Sequence, residues 1–194
     1  MSLSQHALTT VDAVKEYLKI AINDTDYDKT IERQINAISE AIENYCIRHF
    51  EKAEYTEKYS GNDKDYLRLN QYPVNLITYI KVLDTEIDST LYDYLNDSGI
   101  LYNQDIWPSG KRNIEVNYDA GYVLPKDEDG EISRTLPYDL EDACIEMVAA
   151  KFNQRQEEAA GKLSRTQEEY NVRYEKDIPA HIRQVLDRYR KVIA

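Results

Sequence analysis

The sequence is poor in the residues that most often announce chemistry. Its 194 residues include two cysteines, three histidines, two methionines and one tryptophan. Cys46 and Cys144 are too few for a disulfide scaffold, and both fall on apolar faces of predicted helices, where a free thiol packs as a small hydrophobe. His6, His49 and His181 lie far apart in sequence with no metal-type partner at i+3 or i+4, and His49 reads as a boundary residue on its helix. There is no G-x-S-x-G, H-E-x-x-H or C-x-x-C, and Ser109-Gly110-Lys111 lacks the upstream glycine of a phosphate loop. No apolar run approaches the roughly 20 residues that span a bilayer, and the N-terminus lacks the charged-then-apolar order of a secretory signal. These absences predict no catalytic centre, no tightly bound cofactor or metal, no membrane partner, and a chain made and kept in a cytosol.

Basic residues are scarce as well. With 24 Lys and Arg against 36 Asp and Glu the formal charge is -12, which excludes a nucleic-acid binder held by phosphate contacts. The deficit is uneven. From Pro179 onward Arg183, Arg188, Arg190 and Lys191 face one acid, Asp187, for a net +3 that leaves -15 in the rest. A basic C-terminal helix on an acidic body fits a docking contact, although such residues are also favoured by the helix dipole. The acidic triplet Asp24, Asp26 and Asp28 has the spacing of a calcium loop. Lys29 stands where that loop needs glycine and Ile35 where it needs a bidentate Glu, so the cluster reads as helix capping.

What is present is organised around residues 113–155. Ile114, Val116 and Tyr118 alternate as in a half-buried strand, Gly121 turns the chain, and a polar loop leads to Pro137. Leu140, Ala143, Cys144, Met147 and Val148 then repeat at helical spacing behind Asp139, Glu141 and Asp142, which suit the positive end of a helix dipole. Small residues Ala143, Ala149 and Ala150 predict close approach by another helix. Upstream, helices are expected over about 9–20, opened by Thr9 with Asp12, and about 28–50, where Ile31, Ile35, Ile38, Ile42, Tyr45, Cys46 and His49 share a face. Further helices are expected over about 137–155 and 179–193.

Between them, residues 53–122 read as short strands: Tyr55, Glu57 and Tyr59 running into Tyr66 to Leu69 as a hairpin, then Ile77 to Leu83, and Leu91 to Leu95 turning through Asn96-Asp97-Ser98-Gly99 into Ile100 to Tyr102. The expectation is an α+β fold, mostly α, in which one domain of residues 1–194 is a helical bundle with an inserted small antiparallel β-subdomain. Seventeen tyrosines suit either interfaces or half-buried strand positions, and both readings stay open. Residues 154–176 are polar, interrupted by Tyr170 and Tyr174.

The succession of motifs resembles the head-to-tail connector (adaptor) proteins of tailed bacteriophages and their prophage relatives. The resemblance rests on the opening helix Thr10 to Leu18, I-E-N-Y-C-I-R-H-F from Ile42 to Phe50, Y-P-V from Tyr72, V-N-Y-D-A-G-Y from Val116, L-P-Y-D-L-E-D-A from Leu136, and P-x-x-I-x-x-x-L-x-x-Y-R from Pro179. It implies a virion protein that joins the portal to tail or stopper proteins in a ring of about twelve copies, without enzymatic activity. It also implies a genome that passes through unbound, and presence in the bacterial cytoplasm during assembly or when prophage-encoded. Without its portal the free chain need not form that ring and is expected as a monomer. Tyr170, Tyr174, Arg183, Arg188, Tyr189 and Arg190 are the interface candidates. The rival reading, an acidic DNA mimic that inhibits a nuclease or DNA-binding protein, explains the charge but not the basic C-terminus.

Overall fold

The computed structural model describes residues 2–159 and 178–191. Its chain forms two compact units, a helical one of the residues up to Arg48 and from Val123 on, and a β unit, His49–Tyr122. About 37% of the described residues are helical and 26% strand. The α+β class holds, whereas a mostly α helical bundle does not. The insert's alternating Tyr, Val and Ile rows close on one another and build a core of their own, so the strands are a second body of the protein.

In the helical unit, α1 spans Val11–Leu18, α2 Asp28–Cys46, α3 Tyr138–Ala159 and α4 Ala180–Tyr189. α3 packs against the other three. The α2 stripe of Ile31, Ile35, Ile38, Ile42 and Cys46 is buried, as are Leu140, Ala143, Cys144, Val148 and Phe152 of α3 and Ile182 and Leu186 of α4. Met147, expected in this core, is only half-buried and borders a surface groove. Ile38→Ala is therefore expected to cost about 2–5 kcal/mol in chemical denaturation, and Met147→Ala clearly less. Equal losses would overturn this placement.

The helix ends depart from expectation. Thr10, not Thr9, caps α1, its Oγ1 accepting from the Ala13 amide at 3.2 Å. α1 and α2 stop in left-handed residues, Lys19 and Ile47, both with φ near 57°. The following amides, Ile20 to the Lys15 carbonyl and Arg48 to the Glu43 carbonyl, close the helix-terminating loops that glycine usually makes. With no glycine to mark it, the end of α2 was invisible. His49 thus lies beyond the helix, exposed. The aspartate cluster does not cap α2 either, since Tyr27 is its N-cap and has no side-chain capping bond. Asp24 Oδ1 instead accepts from the Asp26 amide, and Asp28 pairs at 2.5 Å with Lys15, a lysine only 2% exposed that also donates to the Ile22 carbonyl.

In the β unit, β1 (Ala53–Gly61), β2 (Tyr66–Arg68), β3 (Val74–Val82), β4 (Thr85–Glu86), β5 (Tyr92–Leu95), β6 (Ile100–Asn103) and β7 (Gly110–Ala120) make two antiparallel sheets. Their orders are β1-β7-β3-β4 and β2-β6-β5. The β5–β6 hairpin turns where expected, Leu95 facing Ile100. The expected β1–β2 hairpin does not form. β2 has three residues, too few to satisfy the nine of β1, whereas eleven-residue β7 pairs along its whole length and sets Tyr55, Glu57 and Tyr59 opposite Tyr118, Val116 and Ile114. Trp107, Leu67, Leu69, Ile80 and Leu101 complete the core, with Tyr55, Tyr59, Tyr92 and Tyr94 packed against it. Several tyrosines therefore fill half-buried strand positions. Gly121 has φ 103°, and a Cβ there would lie 2.3 Å from the Glu51 carbonyl oxygen, which explains its place after β7.

Candidate functional site

The sequence directs attention to α4. It opens after Pro179, buries Ile182 and Leu186, and leaves His181, Arg183, Gln184, Asp187 and Arg188 outside. This one-sided pattern lays α4 on α2 and α3. At its C-terminal end the Asp139 carboxylate, in the first turn of α3, accepts from the Tyr189 hydroxyl at 2.6 Å and pairs with Arg188 Nη2 at 2.8 Å. The Tyr45 hydroxyl donates to Asp187 at 2.6 Å and lies under the Arg190 guanidinium, 5.1 Å from ring centroid to Cζ. That bond to Asp187, with a smaller contribution from burial, raises the pKa of the Tyr45 phenol. Backbone closes the seam: Lys191 N–H donates to the Cys46 carbonyl at 2.8 Å.

Four of the interface candidates thus make contacts within the chain. Arg188, Tyr189 and Arg190 fasten the end of α4, while Arg183, exposed near its start, donates to the Ile178 carbonyl at 3.2 Å. Tyr170 and Tyr174 lie outside the described residues. Sequence reasoning missed Tyr45, Asp139 and Asp187 as anchors. Asp139 was legible only as a dipole-compensating acid of the first turn; its position also puts a carboxylate within reach of the following helix.

Beside α4 runs a groove of about 300 Å³ lined by Ala37, Glu40, Ala41, Asn44, Tyr45, Met147 and Ile178. Among the described residues its lining offers one carboxylate, Glu40, and one phenol, Tyr45. Both thiols are unreactive in kind, since burial pushes Cys46 and Cys144 up to about 12. The carboxylates of Asp28, Glu115, Asp139 and Glu141 are engaged with cations. No helix among the described residues is long and apolar enough to cross a membrane.

The model of the head completion protein family matches residues 7–192. The chain belongs to this family. A head completion protein is a structural part of the head-to-tail junction. Solved structures agree in fold. A chain from the neck of an empty GTA particle, computed with C6 symmetry, superposes with a TM-score of 0.62 at 15% identity, over 100% of this chain and 94% of that one. A chain from the neck of the native GTA particle, computed with C12 symmetry, gives 0.60 at 15% identity with the same coverage. A third, from the virion of the native gene transfer agent particle, gives 0.60 at 14%. No curated protein matches the sequence.

Proposed function

We propose that this head completion protein joins the portal to the tail or stopper proteins, as one copy in a ring of about twelve whose lumen passes the genome. The observation that carries the reading is the family match over residues 7–192. It is supported by the likeness of the whole fold to neck chains computed with C6 and C12 symmetry. The physics agrees, because an acidic body repels DNA over the roughly 8–10 Å that ordinary salt leaves unscreened. In this reading the protein performs no catalysis and needs no cofactor or metal, is present in the bacterial cytoplasm during assembly, and ends in the virion. Affinity capture from infected or induced cells tests it. Portal and tail components should be recovered, and recovery of a host DNA-binding enzyme without either would sink the proposal.

Within that role α4 is the docking element, offering Arg183, Arg188, Tyr189 and Arg190, with Tyr170 and Tyr174 in the segment that precedes it. Arg and Tyr are the side chains that most often anchor interfaces. Reversing all three arginines does not isolate docking from folding, because Arg188 and Arg190 also hold α4 to Asp139 and Tyr45. Arg183 is the discriminating position. Arg183→Glu should leave the melting temperature close to wild type and weaken portal attachment about ten-fold, read by co-sedimentation with portals at ordinary salt. Undiminished attachment would assign the basic residues of α4 to the fold alone.

A further inference from the structure

Every open sheet must do something with its edges. In the four-stranded sheet one end is covered: β3 carries β4, and its Ile80 carbonyl and Val74 amide are taken by Ile87 and Asn96. The other end is β1, nine residues without proline, paired with β7 on one side and with no strand on the other among the described residues. Glu54, Thr56, Lys58 and Ser60 make its exposed row.

That row ends a ladder of charges. Lys81, Glu115 and Lys58 lie side by side across β3, β7 and β1, with Lys81 Nζ 3.6 Å and Lys58 Nζ 3.2 Å from the Glu115 carboxylate. Hydrogen bonds from Lys58 and then from Tyr79 hold the Glu115 carboxyl below its usual range. The alternation runs plus, minus, plus and stops on the lysine at the open edge, whose side chain is 43% exposed.

We propose that β1 is a pairing edge for a second copy of this chain, the two strands running antiparallel about Thr56. In that register Glu54 stands directly opposite Lys58 of the second copy, and the two-fold axis makes the pair twice. Each ladder then continues to a fourth member, plus, minus, plus, minus, in a sheet joined across two molecules. Neighbouring registers that keep the same faces aligned fail on charge. A shift one way sets Lys52 against Lys58, and the other way sets Glu57 against Glu57. The pattern of β1 is thus self-complementary in one register, which identifies the partner as a second copy. A two-fold pair points its copies in opposite senses, whereas neighbours in a ring all point one way, so this dimer belongs to the unassembled chain. It does not rest on the ring reading above.

Sedimentation equilibrium of the full chain over a concentration series tests the proposal. Wild type should associate to a dimer and no further. Glu54→Lys and Lys58→Glu, which bring like charges together twice, should each weaken the dimer about ten-fold or more. The decisive arm mixes the two variants in equal amounts. Opposite charges then meet at both positions, and a heterodimer should return, read by native mass spectrometry. Recovery also shows that both variants are folded. A wild-type chain monomeric throughout the series, single variants that dimerise as well as wild type, or a mixture that stays monomeric would each overturn the assignment.

Discussion

Replacing Arg134 by alanine should lower the stability of the protein by about 3–5 kcal/mol. Its guanidinium pairs with the Glu141 carboxylate, and the two side chains are 12% and 8% exposed. Arg134 also donates from Nη2 to the Leu136 carbonyl at 2.9 Å and stacks over the Tyr138 ring at 4.2 Å. The Thr9 hydroxyl donates to the other Glu141 oxygen at 3.1 Å, so the cluster ties the approach to α1, the loop before α3 and the first turn of α3 together. Without Arg134 a buried carboxylate retains one hydroxyl as partner, and its desolvation is no longer offset. The double variant Arg134→Met, Glu141→Leu removes both charges and should regain most of the loss. Denaturant titration distinguishes the cases. A loss under about 1 kcal/mol for Arg134→Ala would show that water reaches Glu141 and that the cluster is a surface pair.

Alkali should unfold the protein steeply. In the β core the Glu57 carboxylate accepts from the Tyr59 and Tyr118 hydroxyls, Tyr118 at 2.6 Å, and the two phenol oxygens lie 3.3 Å apart. These oxygens in turn accept the Asn70 amide at 3.0 Å and the Gln71 amide at 3.2 Å. Burial first raises both phenols well above their ordinary value of 10.0, followed at Tyr59 by the charge of Tyr118 and then of Glu57, and at Tyr118 by the hydrogen bond to Glu57. The buried thiols Cys46 and Cys144 rise from 9.0 to about 12. All four groups are acids whose folded pKa exceeds the unfolded one, so the folded state holds protons that the unfolded state releases. Stability is therefore fully present below about pH 9, declines through the thiols above it, and declines faster through the phenols above about pH 10. At about 1.4 kcal/mol per proton per pH unit, four groups set a limiting slope of about 5 kcal/mol per unit. Denaturation midpoints measured from about pH 8 to pH 11 should trace this decline. The double variant Tyr59→Phe, Tyr118→Phe should start less stable and lose less above pH 10. An unchanged slope in that variant would exclude the phenols as its source.

Several elements were legible in the residues because their determinants are local. The stripe from Ile31 to Ile42 specifies α2, the alternation of Ile114, Val116 and Tyr118 specifies β7, and Asn96-Asp97-Ser98-Gly99 specifies the β5–β6 turn. Partners distant in sequence were not. β1 pairs with a strand about sixty residues away because β7 matches it in length and in its inward row, a comparison no single window contains. Lys15, Asp28, Arg134 and Glu141 read as solvated charges until packing brings them together. The candidate site divides the same way. The basic bias and amphipathic face of α4 are visible in its own residues, while the hold of Asp139 on Arg188 and Tyr189 depends on how α3 and α4 pack.

The β unit also begins and ends at one place. Ala53 pairs with Ala120, Lys52 N–H donates to the Tyr122 carbonyl at 2.8 Å, and Tyr122 N–H donates to the Phe50 carbonyl at 2.8 Å. The chain therefore leaves this unit one strand's width from where it entered. A body joined to the rest through two adjacent strands behaves as a cassette: a short turn can close the gap it leaves, with the order of the helices unchanged.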